Sequence, residues 1–407
     1  MSVKRLIIIK KGYDMTDIDS CRPKWKGTLT DRERFRRQMH YEPVDRCFNM
    51  EFGYWLENFT SWPLFRQNNI TNNTQADMFF GFDTIKIVRP NVWMDPPFSE
   101  RIISETTTHK ILINTDGILA EVPKDGHDTI PHYLKPTIVT PEDWKRCKAE
   151  RFQADTPHRK TDIMVSNVSV GPFRREETTF DLDKLFTHIS NERDYPLGIH
   201  CGSMIGLVRN MLTFEGLAYS VYDYPDMVED MVETCCVLVE RFLDLVLPKM
   251  KFDFAAGWED ICFKNGPIVS LDFFERVLVP RYKRIRNKLH TAGVDVWYVD
   301  CDGDVRPILH YLLESGINCL FPYEVNCCVH PATLLSEYGK ELRLMGGVDK
   351  MVLAQGNDAI ERYLESLAPL VARGGYIPFC DHRCPPDVQP EYYLYYLDLK
   401  ERMFGMH

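Results

Sequence analysis

Short apolar runs ending in acid recur through the C-terminal half of the chain, separated by stretches whose apolar residues fall three and four positions apart. Val294-Asp295-Val296-Trp297-Tyr298-Val299 closes in Asp300-Cys301-Asp302-Gly303-Asp304, and Phe252 to Trp258 runs into Glu259-Asp260. Cys319 to Tyr323 ends at Glu324, Leu342 to Val348 at Asp349, Tyr195 to Ile199 at His200, and Gly375 to Cys380 at Asp381-His382. Short, near-continuous apolar runs are the pattern of strands covered on both faces. Asp272 to Lys288 (Phe273, Phe274, Val277, Leu278, Tyr282, Ile285) and Ala359 to Ala372 (Ile360, Tyr363, Leu364, Leu367, Leu370) read as helices. Most strand ends follow one another at about one strand plus one helix. This alternation predicts an α/β fold, a (β/α)8 TIM barrel, in which residues far apart in sequence meet at the mouth formed by the strands' carboxyl ends. A doubly wound sheet would more often carry a Gly-rich phosphate turn after its first strand, and none is found.

The N-terminal half is less regular. Thr30-Asp31-Arg32-Glu33 reads as a helix start with Thr30 as N-cap, and Val44 to Phe52 as the first barrel strand. From Thr106 to Thr140 the β-like runs Ile111-Leu112-Ile113 and Gly117-Ile118-Leu119-Ala120, with Asp-Gly turns, predict an inserted β-hairpin. Arg151 to Thr178, polar with scattered Pro and Gly, reads as a long loop of the kind that covers barrel mouths. One barrel domain is expected over residues 28–407, preceded by a helical N-terminal extension over 1–27.

Composition narrows the function. In 407 residues, 49 Lys and Arg stand against 59 Asp and Glu, a net charge of −10, which argues against nucleic acid or anionic lipid as partner. Leu6-Ile7-Ile8-Ile9 is too short for a signal peptide or a membrane span, so a cytoplasmic protein is expected. The 13 cysteines include adjacent pairs, Cys235-Cys236 and Cys327-Cys328, and no Cys-x-x-Cys, so free thiols are expected rather than a disulfide framework or zinc ribbon. Cys380-Asp381-His382-Arg383-Cys384 is the one tight Cys/His cluster. In an extended chain Asp300 and Asp302 project together, with Cys301 opposite, a pair suited to holding a metal or a proton; the structural alternative is an Asx-type turn.

Thr30-Asp31-Arg32-Glu33-Arg34-Phe35, Pro43-Val44-Asp45-Arg46, Trp258-Glu259-Asp260, Asp300 to Asp304, Gly346-Gly347-Val348-Asp349-Lys350 and Asp381-His382-Arg383-Cys384-Pro385-Pro386-Asp387, in this order, resemble the uroporphyrinogen decarboxylase superfamily over about residues 28–400. The resemblance implies a (β/α)8 barrel and one of two chemistries: decarboxylation of uroporphyrinogen, or zinc-dependent methyl transfer involving a corrinoid protein. Decarboxylases of the superfamily carry Arg-Gln-Ala-Gly-Arg-Tyr near the first strand, where this chain has Met50-Glu51-Phe52-Gly53-Tyr54-Trp55. An acid in place of those arginines is expected to repel a polyanionic substrate. In the thiol-activating methyltransferases, zinc is held by His-x-Cys-Gly and a later Cys four positions before a Pro. Laid onto this chain, those positions are Asp300, Asp302 and His382, the last four before Pro386.

Two carboxylates and an imidazole form a harder ligand set for zinc or another divalent metal, suited to a Lewis acid acting on oxygen. The resemblance therefore implies a methyltransferase taking a methyl group from a small O-methylated compound, aromatic ones included, to a corrinoid. Such a corrinoid must arrive on a partner protein, since the chain has no Asp-x-His-x-x-Gly loop. A decarboxylase-like lyase or other barrel enzyme on a small oxygenated substrate, and a non-catalytic binding barrel, are the rival readings; self-association is left open. The expected metal ligands are Asp300, Asp302 and His382. Expected catalytic groups are Glu259 (fourth ligand or general base), Glu324 (orienting a metal-bound His, or proton donor) and His200. Tyr54, Trp55, Trp258 and Tyr323 are expected at the substrate, with Trp62 beside them. Asp260 is expected to face away and cap the next helix, Asp349-Lys350 to form an ion pair, and Cys380 to share the side of His382.

Overall fold

The computed structural model describes residues 22–124, 131–170 and 179–406. Seven parallel strands, Lys86–Arg89, Leu197–His200, Phe254–Trp258, Trp297–Asp300, Cys319–Tyr323, Arg343–Val348 and Tyr376–Cys380, are hydrogen-bonded in that order. The segment from Cys47 to Phe52 is the eighth stave. It is buried throughout but makes no regular ladder. Its alternate residues Phe48, Met50 and Phe52 join Ile87, Phe254, Ala256, Tyr298, Phe321, Ile377 and Phe379 in one apolar cluster, the packed interior of a TIM barrel. The helices predicted around residues 272–288 and 359–372 form as Leu271–Thr291, with a π-turn at Phe274–Leu278, and Asn357–Arg373.

The N-terminal half departs from expectation in informative ways. The helix Asp31–Met39 starts at Thr30, whose hydroxyl accepts from the Glu33 N–H at 3.2 Å. The expected hairpin is a four-stranded antiparallel sheet, Arg101–Glu105, His109–Ile113, Leu119–Pro123 and His132–Lys135, docked on the helix Gly206–Asp223 through Thr137 and Ile138 N–H groups that donate to Met211 O. Arg151 to Thr178 is not simply a loop: its apolar run Ile163-Met164-Val165 makes the strand Ile163–Asn167, antiparallel to Lys86–Arg89. Residues 171–178 of that loop, and 1–21 of the expected extension, lie outside the described residues, while 22–27 hold no helix. No helix among the described residues is long and apolar enough to cross a membrane.

At the amino ends of the strands, charges neutralise one another. Arg46 grips Asp83 with two bonds of 2.6 and 2.7 Å, and Arg34 grips Asp45 at 2.8 and 2.9 Å. The large surface cavity beside them, lined by Lys24, Trp25, Asp31, Arg34, Arg46 and Thr84, thus lies on the face where barrel residues serve stability rather than chemistry. The eighth stave is tied in by Glu51. Its carboxylate accepts from Lys400 Nζ (2.8 Å), the Tyr396 hydroxyl (2.7 Å) and the Cys380 N–H (3.1 Å), and Lys400 also donates to Met50 O (2.9 Å). Both side chains are wholly inside. Lys400→Met should therefore leave an uncompensated buried carboxylate and cost about 3–5 kcal/mol of unfolding free energy, measured by urea denaturation; a loss under about 1 kcal/mol would contradict this account.

Asp77 accepts from Asn167 Nδ2 (2.9 Å) and from the Ser169 hydroxyl, while its Oδ1 is buried without a partner. Burial raises its pKa to about 7. Above the ordinary carboxylate range the unfolded chain is ionised while the folded one still holds the proton, so this group's stabilisation is full at low pH and is lost as pH rises from about 4 to about 7. Asp77→Asn should remove that contribution, at most about 1.4 kcal/mol per pH unit, and the difference between the two proteins' stability–pH curves reads it directly.

Candidate functional site

Strand parity decides which acids reach the mouth. Phe254 and Ala256 point into the barrel, and two-residue alternation carries that side through Trp258 to Asp260, not Glu259. Val296 and Tyr298 likewise point inward, which brings Asp300 and then Asp302 to the same rim. The two strand ends approach closely at Gly303, where φ is +89° and a Cβ would sit 2.6 Å from Cys262 O; a side chain is excluded there. Asp260, itself at φ +45°, accepts from the Asp302 N–H (3.1 Å) and from Trp258 Nε1 (3.2 Å). Arg209 donates to the Asp260 carbonyl and lies 5.2 Å from the centre of the Trp258 ring. One oxygen each from Asp260, Asp300 and Asp302 falls within 4.8 Å of the others. His382 Nε2 lies 3.4 Å from Asp302 Oδ2, its ring flanked by Trp55 (centroids 5.5 Å, 31°) and by Phe52 edge-on (5.7 Å, 88°).

Three carboxylates this close cannot all stay ionised without a counter-charge. Burial, then Asp260 and Asp302, hold the Asp300 pKa well above the carboxylate range, and among the described residues the Asp300 carboxylate has no hydrogen-bond donor. Burial and Asp302 raise Asp260 to about 6. For Asp302 burial also pushes upward, but the bond and charge of His382 outweigh it and the net shift is downward. The Asp302 Oδ1 is buried with no partner. Hard oxygens from three strand-end acids, those of Asp300 and the Asp302 Oδ1 without a donor among the described residues, with an imidazole beside them, fit a divalent cation.

Of the residues expected here, Asp300, Asp302, His382, Trp55 and Trp258 come together. Glu259 does not. Its carboxylate turns into the helix layer, where it accepts from the N–H groups of Met204 (2.8 Å), Ile205 (2.9 Å) and Gly206 (2.9 Å), the Ser203 hydroxyl (2.9 Å) and the Tyr282 hydroxyl (2.5 Å). It anchors the start of the Gly206–Asp223 helix, while Asp260, expected to face away and cap the following helix, turns to the mouth instead. Glu324 is engaged by Lys350 Nζ (2.8 Å) and the Gly303 N–H (3.3 Å), so Lys350 pairs with Glu324 rather than with Asp349, which caps the next helix through the Met351 N–H. Tyr54 is core, its hydroxyl 2.7 Å from that of Tyr393 and its ring against Trp62. A register shift between Leu320 and Tyr323 turns Tyr323 outward, where it donates to Val329 O (2.6 Å). Cys380 faces outward, beside Cys384, as alternation from the inward Ile377 and Phe379 requires; the turn after Tyr376–Cys380 ends that alternation and brings His382, not Cys380, to the mouth. His200 lines a narrow slot beneath the acids, shared with Asp300 and Arg89.

The sequence reading missed Asp260 and Arg89. Parity counted from Phe254 was the available signal for the first; for the second it was Ile85-Lys86-Ile87-Val88-Arg89, an apolar run ending in charge like the others but with a cation.

The family model described as uroporphyrinogen decarboxylase (URO-D) matches residues 175–401, more than half of the chain. The chain belongs to the URO-D family. A solved structure, a methyltransferase from Methanosarcina mazei, shares the fold of this URO-D protein with a TM-score of 0.55 at 14% identity, over 92% of this chain and 99% of that one. No curated protein sequence matches significantly. Within the URO-D barrel Glu51 does not face substrate, so it repels nothing; the residues that the first stave turns inward are Phe48, Met50 and Phe52, all apolar.

If parity has sorted the acids correctly, Asp260→Asn and Asp300→Asn should each lower the zinc content of protein purified without chelator by at least about tenfold. Glu259→Gln should keep the metal and instead lose stability, by about 1–3 kcal/mol, since it leaves the Ser203–Gly206 turn short of a charged acceptor. Elemental analysis beside thermal unfolding separates the two; metal lost from Glu259→Gln but kept by Asp260→Asn would reverse the assignment.

Proposed function

We propose that this URO-D family protein is a methyltransferase that moves a methyl group from a small O-methylated compound to the Co(I) corrinoid of a separate protein. The observation that carries the reading is the cluster of Asp260, Asp300 and Asp302 beside His382, an oxygen-rich cation site at the mouth of a URO-D barrel. Asp260, Asp300 and Asp302 would hold a divalent metal, zinc by expectation, with His382 as the nitrogen donor. When bound, the metal supplies a Lewis acid for an oxygen that gains negative charge as it loses its methyl group.

The chain's own residues position and shield. Trp258 and the Asp302 N–H fix the Asp260 carboxylate, and Trp55 and Phe52 hold the His382 ring in one plane, so the polar cluster needs little reorganisation during reaction. Trp55 is partly exposed at the rim, where its face and the Phe52 edge keep water from one side of the site. Glu324, neutralised by Lys350, steadies Gly303 and so the Asp302 loop; it is a positioning residue, not a proton donor. Methyl transfer leaves an alkoxide or phenoxide that must gain a proton, and solvent at the open mouth supplies it.

The test uses free cob(I)alamin as acceptor and a panel of methoxylated compounds, following conversion to methyl-Co(III) by absorbance. At least one donor should react, and Asp300→Asn should slow it by at least about 100-fold, the scale of one lost transition-state stabiliser. No methylation with any donor, together with turnover of a porphyrinogen or sugar by the protein alone, would replace this reading with another barrel chemistry.

A further inference from the structure

Asp260 reaches the acidic cluster through a backbone conformation that its neighbours must hold. Its φ of +45° lies in the left-handed region, uncommon for a residue with a Cβ and kept only where surrounding contacts fix it. No backbone N–H among the described residues donates to its carbonyl, because the ladder to the next strand ends one residue earlier, with the Glu259 N–H on Asp300 O (2.9 Å). Arg209 supplies the missing bond. Its Nη1 donates to Asp260 O, and its guanidinium lies over the Trp258 ring, whose Nε1–H donates to the Asp260 carboxylate (3.2 Å). Arg209 stands in the first turn of the helix Gly206–Asp223, its backbone N–H bonded to Ile205 O (2.8 Å). That helix start is anchored by Glu259 and packed so closely on the same turn that a Cβ on Gly206 would sit 2.3 Å from Glu259 O. Strand end and helix start brace each other: Glu259 fixes the helix, and the helix returns Arg209 to fix Asp260.

We propose that Arg209 is a positioning residue of the cation site: it holds the Asp260 main chain so that the carboxylate faces those of Asp300 and Asp302, and this ordering outweighs the repulsion its own charge exerts on a bound metal ion. Its other contact, with Asn210 Oδ1, is long (3.5 Å), and no carboxylate pairs with it among the described residues. A cation so placed would by charge alone weaken the binding of another cation. Hydrogen bonds that orient a metal's ligands are worth about tenfold to 100-fold in affinity, so loss of positioning and loss of repulsion give the removal of Arg209 opposite signs. The inference rests on the cation site of the proposed function and not on methyl transfer.

The experiment measures zinc affinity by competition with a chromogenic chelator, and the visible absorption of the cobalt(II)-loaded protein, both on the full chain. Arg209→Met, which keeps an apolar stem over Trp258 but removes donor and charge, should weaken zinc by at least about tenfold and change the cobalt d–d bands, the signature of a displaced ligand. Arg209→Lys, whose ammonium can still donate to the carbonyl, should stay within about threefold of the wild type and keep its cobalt spectrum. Zinc binding that is unchanged or tighter in Arg209→Met, with the wild-type cobalt spectrum, would overturn the inference even if the variant melts at a lower temperature, because a merely structural contact lowers stability without touching the metal. Should Arg209→Met fail to fold, Arg209→Gln, whose side chain falls short of the carbonyl, takes its place with the same two expectations. A wild-type protein that binds neither zinc nor cobalt(II) would overturn the inference together with the cation site. A metal-binding wild type indifferent to Arg209 would leave that site standing and remove the positioning role alone.

Discussion

Closure of the barrel depends on one buried carboxylate. The seven laddered strands hold each other through backbone bonds, but the eighth stave has no regular ladder and is joined to the last strand largely through Glu51, which binds the Cys380 N–H, Tyr396 and Lys400. A carboxylate taken fully out of water is tolerable only with a charged partner and its remaining lone pairs filled, and Glu51 has both. The consequence reaches the mouth. Cys380 lies two residues before His382, and Phe52, one residue after Glu51, packs against the His382 ring, so a single ionic contact sets both the strand end that carries the imidazole and the surface behind it.

At the mouth itself the energetic problem is the opposite, an excess of negative charge. Asp260 and Asp302 raise the proton affinity of Asp300, and Asp302 that of Asp260, while Asp302 alone has the bond and charge of His382 strong enough to turn its shift downward. Left alone the cluster must keep protons; offered a divalent cation, it has oxygens from two adjacent strand ends already in place. Arg89 and Arg383 add positive potential around Asp300 without bonding to it, which limits the repulsion while leaving its oxygens free for a ligand.

The residues that carry the family resemblance divide between these two tasks. Arg34, Asp45 and Arg46 close a charge network on the amino face, Glu259 anchors a helix start, and Asp381 accepts from the Val325 and Lys350 N–H groups (both 3.0 Å), all in the service of the barrel. Asp260, Asp300, Asp302 and His382 are left to do chemistry. Family motifs thus identify the fold more directly than they identify the reaction, because the same scaffold residues support different sites.

Alternation of apolar runs and helical stretches was enough to read the barrel, most of its strands, and the pairing of Asp300 with Asp302, since periods of two and 3.6 residues are properties of the local backbone. The strand Lys86–Arg89, and with it Arg89, was legible by the same rule but ends in a cation rather than an acid. Other features were beyond local reading. Which way Tyr323 and His382 point depends on a register shift and on a turn, and each reverses the parity that the sequence implies. Whether Glu259 or Asp260 meets the mouth depends on where the helix Gly206–Asp223 presents its N–H groups, and the role of Glu51 on a lysine 349 residues away. A charged side chain's function is set by the partners that packing brings to it, and only the tertiary structure decides those.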